Sequence, residues 1–421
     1  MNVTLSTSTP NGKVKAIASK SAAHRALICA AFASESTEII CTETNADIDA
    51  TARCLGALGA KITRREDRFV VLPIKNVPPH AMLDCGESGS TLRFLLPIVS
   101  ALGCTAEFKM AGRLPSRPLS PLREELESHG VSLSDAGSNP LMMSGKICAG
   151  EYKIRGDVSS QFISGLLFAL SIIEGESRIV LTSAIESAPY INMTLKTLYD
   201  FGADISIDER GFTVRGVKKL TSPKSIAIEG DWSNAAFMLA AGAVVKGANV
   251  SVTSLDADSL QGDRAILELL VRFGADVRRK NDKITVRSGE LCGIDIDATN
   301  IPDLVPILAV VAAAANGRTV IRGASRLKLK ESDRLASISD MLFTLGASIA
   351  KTDDGLIIDG GKRLAGAVVS SHADHRIAMS AAVASLLCDG EVTITDAEAV
   401  AKSYPAFWDD VISLGFNIKK N

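Results

Sequence analysis

A short motif recurs six times along the chain: a helical turn, Gly, a small or apolar residue, any residue, and then Ile, Val or Leu. Its intervals are 71, 72, 72, 72 and 69 residues, and its glycines are Gly59, Gly130, Gly202, Gly274, Gly346 and Gly415. A near-constant interval over a whole chain is typical of a repeated structural unit. The sequence therefore predicts six copies of one supersecondary unit.

Each copy contains two helical segments of different character. The first is apolar almost all round, as in STLRFLLPIVSAL, which predicts a helix buried on every side. The second is amphipathic, as in DRAILELLVRFG, and its closing Gly fits the left-handed residue that follows many helices. Runs that alternate with period two surround them and indicate strands. The predicted unit is βαβαββ, and the fold class is α/β.

The sixth copy ends after the first strand of its hairpin, so its partner strand is missing. We expect the N-terminal segment NVTLST to supply that strand, so that deleting residues 1–8 destabilises the C-terminal half. Six copies suggest two domains of three repeats. One is discontinuous, residues 1–19 and 231–421, and the other is residues 20–230.

Composition excludes several classes of protein. The chain is 46% hydrophobic and 22% charged, which suits a globular protein with large cores. Its longest apolar run, residues 305–315, is shorter than the roughly 20 residues of a transmembrane helix. No secretory leader opens the chain, so we expect a cytoplasmic protein. A net charge of −2 without a basic stripe argues against nucleic-acid binding.

The eight cysteines include no C-x-x-C pair. We interpret them as reduced thiols in the core rather than disulfide or zinc cysteines. His372 and His375 have the spacing of a metal pair, but no third ligand is evident, so we expect no metal. The segment GESGS resembles a phosphate-binding loop without the spacing of a nucleotide motif.

Polar residues gather at or near the starts of the predicted helices. Because helix N-termini bind anions, and Lys and Arg there bind phosphate and carboxylate, these segments predict sites for small, highly charged substrates. Taken singly, each Ser or Asp also fits an ordinary N-cap, and Lys330 to Arg334 also fits a solvated helix start. The segments are SKSAAHR, CGESGST, LPSRPLSPL, GDVSSQF, ESAPYINM, Asp303, LKLKESDR, HADHR and AKSYPAF.

In this order, the segments resemble the 5-enolpyruvylshikimate-3-phosphate synthases (3-phosphoshikimate 1-carboxyvinyltransferases) from Lys20 to Lys402. The resemblance implies a two-domain inverse α/β barrel with three βαβαββ repeats per domain and an active site in the cleft between the domains. It assigns the phosphoenolpyruvate side, with Asp303 and Glu331, to residues 1–19 and 231–421, and the shikimate 3-phosphate side to residues 20–230. It implies transfer of the enolpyruvyl group of phosphoenolpyruvate to the 5-hydroxyl of shikimate 3-phosphate, in the shikimate pathway of aromatic amino-acid biosynthesis. Family members need no cofactor and are glyphosate targets. A monomer acting on small molecules alone is expected.

The resemblance also implies a role for each matching residue. Asp303 would accept the proton of the attacking hydroxyl, and Glu331 would protonate the methylene carbon, with Lys20 as a third catalytic residue. The residues that would bind shikimate 3-phosphate are Lys20, Ser21, Arg25, Ser159, Ser160, Gln161, Ser187, Tyr190, Asp303 and Lys330. Those that would bind phosphoenolpyruvate are Lys20, Gly89, Arg117, Gln161, Arg334, Arg376 and Lys402.

Three positions depart from the family pattern. Glu87 and Ser90 stand in the glycine loop where Asn and Thr are common, and a carboxylate there repels an anion unless a cation pairs with it. Arg326 stands where Asn is common, and two interpretations stay open: a phosphate contact or a solvent-facing side chain.

Two alternatives remain for the function. UDP-N-acetylglucosamine enolpyruvyl transferases usually carry a reactive Cys or Asp five residues before the Arg that matches Arg117, where this chain has Gly112. They also lack LKLKESDR. The second alternative is a non-catalytic binding protein, but every candidate catalytic position holds a competent residue.

Overall fold

The structure is a computed structural model, and it describes residues 1–420. The chain divides into two compact units. Unit 1 comprises Met1–Ile17 and Glu229–Asn421, and unit 2 comprises Ala18–Ile228. These boundaries lie close to the expected ones, while the assignment of a substrate to each domain stays a prediction.

The secondary structure alternates strands and helices throughout residues 1–420. The α-helices are α1 (Lys20–Ala31), α2 (Ala46–Ala57), α3 (Gly89–Leu102), α4 (Leu122–Ser128), α5 (Ser160–Ser171), α6 (Ala188–Asp200), α7 (Trp232–Val244), α8 (Ile266–Phe273), α9 (Val305–Ala314), α10 (Arg334–Thr344), α11 (His375–Ala384) and α12 (Phe407–Ser413). Short 3-10 helices are Leu114–Ser116, Gly262–Ala265, Pro302–Leu304, Ser325–Leu329, Ser385–Leu387 and Ala397–Lys402.

The strands are short, and most belong to four-stranded sheets. They are β1 (Val3–Ser6), β2 (Asn11–Lys15), β3 (Thr37–Ile40), β4 (Lys61–Arg64), β5 (Arg68–Leu72), β6 (His80–Asp84), β7 (Thr105–Lys109), β8 (Ser132–Leu133), β9 (Leu141–Ser144), β10 (Glu151–Ile154), β11 (Gly175–Leu181), β12 (Asp204–Asp208), β13 (Gly211–Gly216), β14 (Ser225–Ala227), β15 (Asn249–Thr253), β16 (Asp276–Lys280), β17 (Lys283–Arg287), β18 (Asp295–Asp297), β19 (Gly317–Arg322), β20 (Ser348–Lys351), β21 (Leu356–Gly360), β22 (Leu364–Ala365), β23 (Val368–Ser370), β24 (Cys388–Asp389), β25 (Val392–Thr395) and β26 (Asn417–Lys420).

One strand order repeats in every four-stranded sheet. The sheets of unit 2 are β14-β3-β5-β4, β6-β7-β9-β8 and β10-β11-β13-β12. Those of unit 1 are β2-β15-β17-β16, β18-β19-β21-β20 and β23-β25-β1-β26. In each, the first two strands are parallel and the other pairings are antiparallel. The predicted α/β fold of six βαβαββ repeats, three in each unit, is therefore confirmed.

The N-terminal strand completes the last sheet, as expected from the missing hairpin strand. β1 pairs antiparallel with β25 on one side and with β26 on the other, and Val3 faces both Ile394 and Lys420. Val3 and Leu5 are fully or almost fully buried. The central position of β1 and its buried side chains make it part of the core of unit 1.

Each unit also closes on itself where the chain crosses between them. In unit 2, β14 pairs parallel with β3 of the first repeat. In unit 1, β2 pairs parallel with β15 of the fourth repeat. The backbone N–H of Asp231 donates to the carbonyl of Ile17 at 2.8 Å, so the two segments of unit 1 meet where unit 2 begins and ends.

The apolar helices lie inside the units. In α9, every residue from Val305 to Ala313 is buried, and α1, α3, α5, α7 and α11 are buried along most of their length. Each unit has its own hydrophobic core. A helix without a polar face needs apolar neighbours on all sides, which three surrounding sheets and their helices provide.

The six repeat glycines all have positive φ, from 74° at Gly202 to 110° at Gly274. A residue with a Cβ is strained in this region, so Gly ends each amphipathic segment and turns the chain into the following strand. The motif that defines the repeat therefore has a backbone cause.

Candidate active site

Lys20 is the first residue of α1, and a carboxylate of α2 fixes its side chain. Ser19 caps the helix by accepting from the N–H of Ala22, and Lys20 Nζ lies 2.9 Å from Asp47 Oδ2. The Lys20 side chain keeps 17% of its exposure. Sequence analysis missed Asp47, although an acid in the first turn of a mostly apolar helix was a possible signal. The ion pair orients the ammonium group and leaves part of it accessible to a ligand.

Arg25 is buried in α1 and is held by α6. Its Nε donates to Thr194 Oγ1 at 2.9 Å, its Nη1 to the carbonyl of Ser21 at 2.6 Å, and its Nη2 to the carbonyl of Tyr190 at 2.8 Å. Burial lowers the pKa of Arg25 to about 10, so the guanidinium is cationic at neutral pH. These bonds fix its position and join three of the predicted binding residues: Ser21, Arg25 and Tyr190.

The glycine loop leads into α3, with two arginines against its first residue. Ser88 caps the helix by accepting from the N–H of Thr91. A Cβ added to Gly89 would lie 2.7 Å from Arg93 Nη1 and 2.8 Å from Arg117 Nη1. Glycine at position 89 therefore lets both guanidinium groups approach the N-terminus of α3. The two guanidinium groups and the helix N-terminus together make a site for an anion.

Arg93 was not predicted as a site residue. It is 4% exposed, and its Nη1 donates to Gln161 Oε1 at 3.0 Å while its Nη2 donates to the carbonyl of Pro118 at 3.3 Å. Gln161 Nε2 in turn donates to Ser90 Oγ at 2.8 Å. One Arg in an otherwise apolar helix was the available signal. This network joins the starts of α3 and α5.

Glu87 lies against the loop that contains Gly112. A Cβ on Gly112 would be 2.7 Å from both Cδ and Oε1 of Glu87, and Gly112 has a φ of 54°. Any larger residue at position 112 would thus meet both backbone strain and the Glu87 carboxylate. The position that carries Cys or Asp in the sister family has, in this chain, a backbone conformation that favours glycine and the Glu87 side chain beside it.

The remaining predicted residues of unit 2 lie at the starts of α5 and α6. Ser159 caps α5 by accepting from the N–H of Gln161, and Ser160 follows it, 7% exposed. Ser187 precedes α6 in the left-handed region with φ 56°, and it is buried. The hydroxyl groups and backbone N–H groups at these two helix starts are donors suited to an anion in unit 2.

Arg334 is the centre of the candidate site in unit 1. It is 1% exposed and binds three carboxylates: Asp374 Oδ2 through Nε at 2.8 Å, Asp303 Oδ1 through Nη1 at 2.9 Å and Glu331 Oε2 through Nη2 at 2.8 Å. Nη2 also reaches Asp374 Oδ1 at 3.3 Å. A guanidinium has five N–H donors, and these three carboxylates accept from four of them.

Asp303 lies among three cations. Its Oδ2 accepts from Arg376 Nη2 at 3.0 Å, and its Oδ1 lies 4.0 Å from Lys330 Nζ as well as beside Arg334. Burial would raise the pKa of Asp303, but Arg376, Lys330 and Arg334 outweigh it and hold the pKa well below its usual range. The Asp303 side chain keeps 18% of its exposure. It is an ionised and partly accessible carboxylate.

Glu331 pairs with a second cation on its other oxygen. Its Oε1 lies 3.8 Å from Lys402 Nζ, and the two side chains are 14% and 10% exposed. Lys402 is the last residue of the 3-10 helix Ala397–Lys402, and Arg117 directly follows the 3-10 helix Leu114–Ser116. Asp303 and Glu331 therefore both contact the Arg334 guanidinium. Their other cationic partners differ: Asp303 also pairs with Arg376, and Glu331 with Lys402.

Asp374 holds this cluster in place and is fully buried. It caps α11 by accepting from the N–H of Arg376, and it also accepts from Ser332 Oγ at 3.1 Å. Burial would raise the pKa of Asp374, but Arg334 and His375 keep it below its ordinary value. One carboxylate thus positions both Arg334, through its side chain, and Arg376, through its backbone.

Several expectations outside the site are corrected. Arg326 is half-buried and donates through Nη2 to the carbonyl of Thr299 at 2.8 Å, so it does not simply face solvent. Cys148 and Cys292 are exposed rather than in the core, because they lie in loops; the other cysteines are buried.

Residues 1–420 contain no cluster of three or more His, Cys, Asp or Glu side chains suited to a metal ion. None of the helices in that range is both long and apolar enough to span a membrane.

Comparison with known proteins identifies the family. The sequence model of EPSP synthase (3-phosphoshikimate 1-carboxyvinyltransferase) matches residues 6–411. The chain belongs to the EPSP synthase family. Among its relatives, the 3-phosphoshikimate 1-carboxyvinyltransferase of Clostridium beijerinckii is 41% identical over 96% of this chain and 95% of its own length. That of Clostridioides difficile is 40% identical over 97% and 96%.

Solved structures agree with this assignment to the EPSP synthase family. An EPSP synthase from Acinetobacter baumannii superposes with a TM-score of 0.83 at 26% identity, covering 99% of both chains. The enolpyruvyl transferase NikO from Streptomyces tendae gives a TM-score of 0.79 at 20% identity, over 99% of this chain and 98% of its own. The second likeness shows the fold alone. The expected inverse α/β barrel of the enolpyruvyl transferases is confirmed.

Proposed function

We propose that this chain transfers the enolpyruvyl group of phosphoenolpyruvate to the 5-hydroxyl of shikimate 3-phosphate and releases phosphate, in the shikimate pathway. The observation that carries the proposal is the shared guanidinium of Arg334, which binds both Asp303 and Glu331. Two carboxylates among four cations provide a base and an acid beside a binding site for anions. The 3-phosphoshikimate 1-carboxyvinyltransferases at about 40% identity support this reaction.

The cations of each unit suit the two anionic substrates. Each substrate carries one carboxylate and one phosphate, and Arg and Lys bind both groups with charge-assisted hydrogen bonds. For shikimate 3-phosphate we propose Lys20, Ser21, Arg25, Ser159, Ser160, Gln161, Ser187, Tyr190, Asp303 and Lys330. For phosphoenolpyruvate we propose Lys20, Gly89, Arg117, Gln161, Arg334, Arg376 and Lys402.

In the proposed addition step, the 5-hydroxyl oxygen bonds to C2 of phosphoenolpyruvate. Asp303 takes the hydroxyl proton, and Glu331 in its acid form gives a proton to C3, which becomes a methyl group. The product is a tetrahedral adduct that still carries the phosphate. In the elimination step Glu331 removes a proton from that methyl group, the C2–O bond to phosphate breaks, and the enolpyruvyl ether forms. Asp303 gives the hydroxyl proton to the departing phosphate or to solvent, so both carboxyl groups return to their starting forms.

The ion pairs explain why the site must change when substrate binds. In the ligand-free protein Asp303 is held ionised by three cations, so it is a weak base. A substrate phosphate or carboxylate that binds Arg376 or Lys330 offsets part of that positive charge. The pKa of Asp303 then rises toward the range of a useful base. Binding therefore prepares Asp303 for proton transfer.

The local structure favours this reaction over that of the sister family. Gly112 stands where the UDP-N-acetylglucosamine enzymes usually carry their reactive residue, and Glu87 fills the space beside it. A cysteine there would have to displace Glu87 and accept a left-handed backbone.

We further propose that the protein is cytoplasmic and a monomer. Light scattering of the purified protein tests the oligomeric state.

The deciding experiment measures phosphate release without added metal from phosphoenolpyruvate and shikimate 3-phosphate, with UDP-N-acetylglucosamine as the parallel acceptor. We expect release with the shikimate ester only. Asp303→Asn and Glu331→Gln should each abolish most of it, whereas Asp359→Asn, in an exposed ion pair with Arg318, should not. Release with the sugar nucleotide alone contradicts the proposal, and binding of both substrates without release favours a non-catalytic protein.

A further inference from the structure

Asp263 is a buried carboxyl group outside the residues assigned above. It lies in the 3-10 helix Gly262–Ala265, which packs against α7, and it is 1% exposed. Its Oδ2 accepts a hydrogen bond from Ser233 Oγ in the first turn of α7. Its Oδ1 is buried without a hydrogen-bond partner in the described part of the chain. An ionised oxygen without a donor is costly to bury, so the surroundings favour the protonated form.

The charged groups around Asp263 connect it with the candidate site. Asp303, in the 3-10 helix that also packs against α7, and Asp231, the N-cap of α7, disfavour its ionised form, and Arg376 favours it. Burial and then Asp303 raise the pKa of Asp263 to about 7, against the opposing effect of Arg376 and Ser233. Arg376 is thus the nearby cation that stabilises a negative charge on Asp263.

Arg376 is also a proposed ligand of phosphoenolpyruvate. When an anion binds to it, the positive charge felt by Asp263 decreases and a new negative charge arrives nearby. Both changes disfavour ionised Asp263. We propose that Asp263 is a positioning residue that takes up a proton from solvent when an anionic ligand binds Arg376, and that anion binding in unit 1 thereby depends on pH. This inference rests on the proposed function for the identity of the natural ligand.

The proton balance is simple. One proton moves from the buffer to a carboxylate oxygen of Asp263, and no other covalent bond changes. If the ligand-free protein is mostly ionised there above neutral pH, anion affinity falls by up to about tenfold per pH unit in that range. Below neutral pH, Asp263 is already protonated, and the affinity becomes independent of this group.

Isothermal titration calorimetry with sulfate tests the inference, because sulfate does not titrate near neutral pH and any proton uptake comes from the protein. Titrations at pH 7 in buffers of different ionisation enthalpy should show a fraction of a proton taken up by the wild type. Asp263→Asn, which mimics the protonated group, should lose this uptake and bind sulfate at pH 8 about as tightly as the wild type does at pH 6. A merely structural role would instead weaken binding at every pH.

Two further variants sharpen the test. Ser233→Ala removes the hydrogen bond that favours the ionised form, so the pH dependence should move to higher pH. Glu229→Gln is the matched control: burial also raises the pKa of Glu229, but its charged neighbours are Asp256 and Asp231 rather than Asp303 and Arg376. It should keep the uptake. His375, beside Asp374, is present in all variants, so the difference in proton uptake between wild type and Asp263→Asn is assigned to Asp263.

Two outcomes overturn the inference: sulfate affinity that is flat between pH 6 and pH 8 in the wild type, or proton uptake that persists in Asp263→Asn. The phosphate-release assay on the same preparations separates this from the proposed function. Release of phosphate without Asp263-dependent uptake removes only the inference. Asp263-dependent uptake of protons with sulfate, but no release with either acceptor, supports the inference and removes only the proposed function.

Discussion

Arg334 Nη1 lies 2.9 Å from Asp303 Oδ1, so the proposed catalytic base is also one partner of an ion pair with a buried arginine. The pairing holds Asp303 in one place and keeps it ionised, which a base requires. It also makes the carboxylate less basic than a free aspartate. The proposed chemistry therefore depends on substrate anions that offset the cations around Asp303.

Asp303→Asn should lower kcat about 10²–10⁴-fold, because the amide keeps the shape of the side chain but cannot accept the proton. The KM for phosphoenolpyruvate should change much less, since Arg376 and Lys402 remain. Steady-state phosphate release measures both constants. An Asp303→Asn protein with wild-type kcat would show that another group takes the hydroxyl proton.

Arg334→Leu should lower the free energy of unfolding by about 3–5 kcal/mol, because it leaves three partly or fully buried carboxylates without their shared cation. Arg318→Leu is the control: its pair with Asp359 is exposed, so the loss should stay below about 1 kcal/mol. Urea denaturation at pH 7 measures both. Equal losses would contradict the central role of Arg334.

The effect of Arg334→Leu should also depend on pH. The pKa values of Asp303 and Asp374 lie below their ordinary values in the folded protein. Their contribution to stability is therefore present above the unfolded-state pKa and is lost as the pH falls toward the folded-state values. The wild type should lose more stability than the variant when the pH falls from 7 to 3. Parallel decreases would contradict this.

Leu5→Ala should lower the free energy of unfolding of unit 1 by about 2–5 kcal/mol, because Leu5 is 1% exposed in the central strand β1. Leu260→Ala, at a side chain that is 41% exposed, should have little effect. Deleting residues 1–8 should increase hydrogen exchange in β25 and β26 and leave the amides of unit 2 protected. Equal changes in both units would argue against a local role for β1.

Gly112→Ala should destabilise the protein more than Gly137→Ala. Both glycines have positive φ, so both substitutions bring backbone strain, but only the Cβ at position 112 meets Glu87. Glu87 is exposed, so its side chain can turn away, and the excess should be that of an off-rotamer side chain, about 0.5–1.5 kcal/mol. Adding Glu87→Ala to Gly112→Ala should recover that excess in a double-mutant cycle of urea denaturation. A cycle without coupling would show that Glu87 moves aside at no cost.

Periodicity carried most of the fold prediction. The spacing of Gly59 to Gly415 predicted the repeats, and the missing hairpin strand predicted the position of β1. The exchange of β2 and β14 between repeats was not predicted. β2 and β14 lie where the chain passes from one unit to the other, and strands this short have little periodic pattern. Only their hydrogen-bonded pairing with β15 and β3 shows to which sheet each belongs.

The types of residue in the candidate site could be predicted from the sequence, but the contacts between their side chains could not. The cations near helix starts were visible, whereas the pairing of Lys20 with Asp47 and the contact of Arg93 with Gln161 join residues far apart in sequence. Nor does the sequence show that Arg334 is occupied by carboxylates. Such contacts depend on how helices pack, which side-chain chemistry alone does not determine.

The hydrogen bond between Asp231 and Ile17 joins the two sequence segments of unit 1, and this contact bears on how the gene is organised. The chain leaves unit 1 after Ile17 and returns to it before Asp231, and these two residues are in contact. The sheet β2-β15-β17-β16 combines a strand from before unit 2 with strands from after it. A gene that skipped codons 18–228 would still encode every strand of the three sheets of unit 1 in one uninterrupted chain. Unit 2 therefore interrupts unit 1 in the sequence without separating the two segments of unit 1 in space.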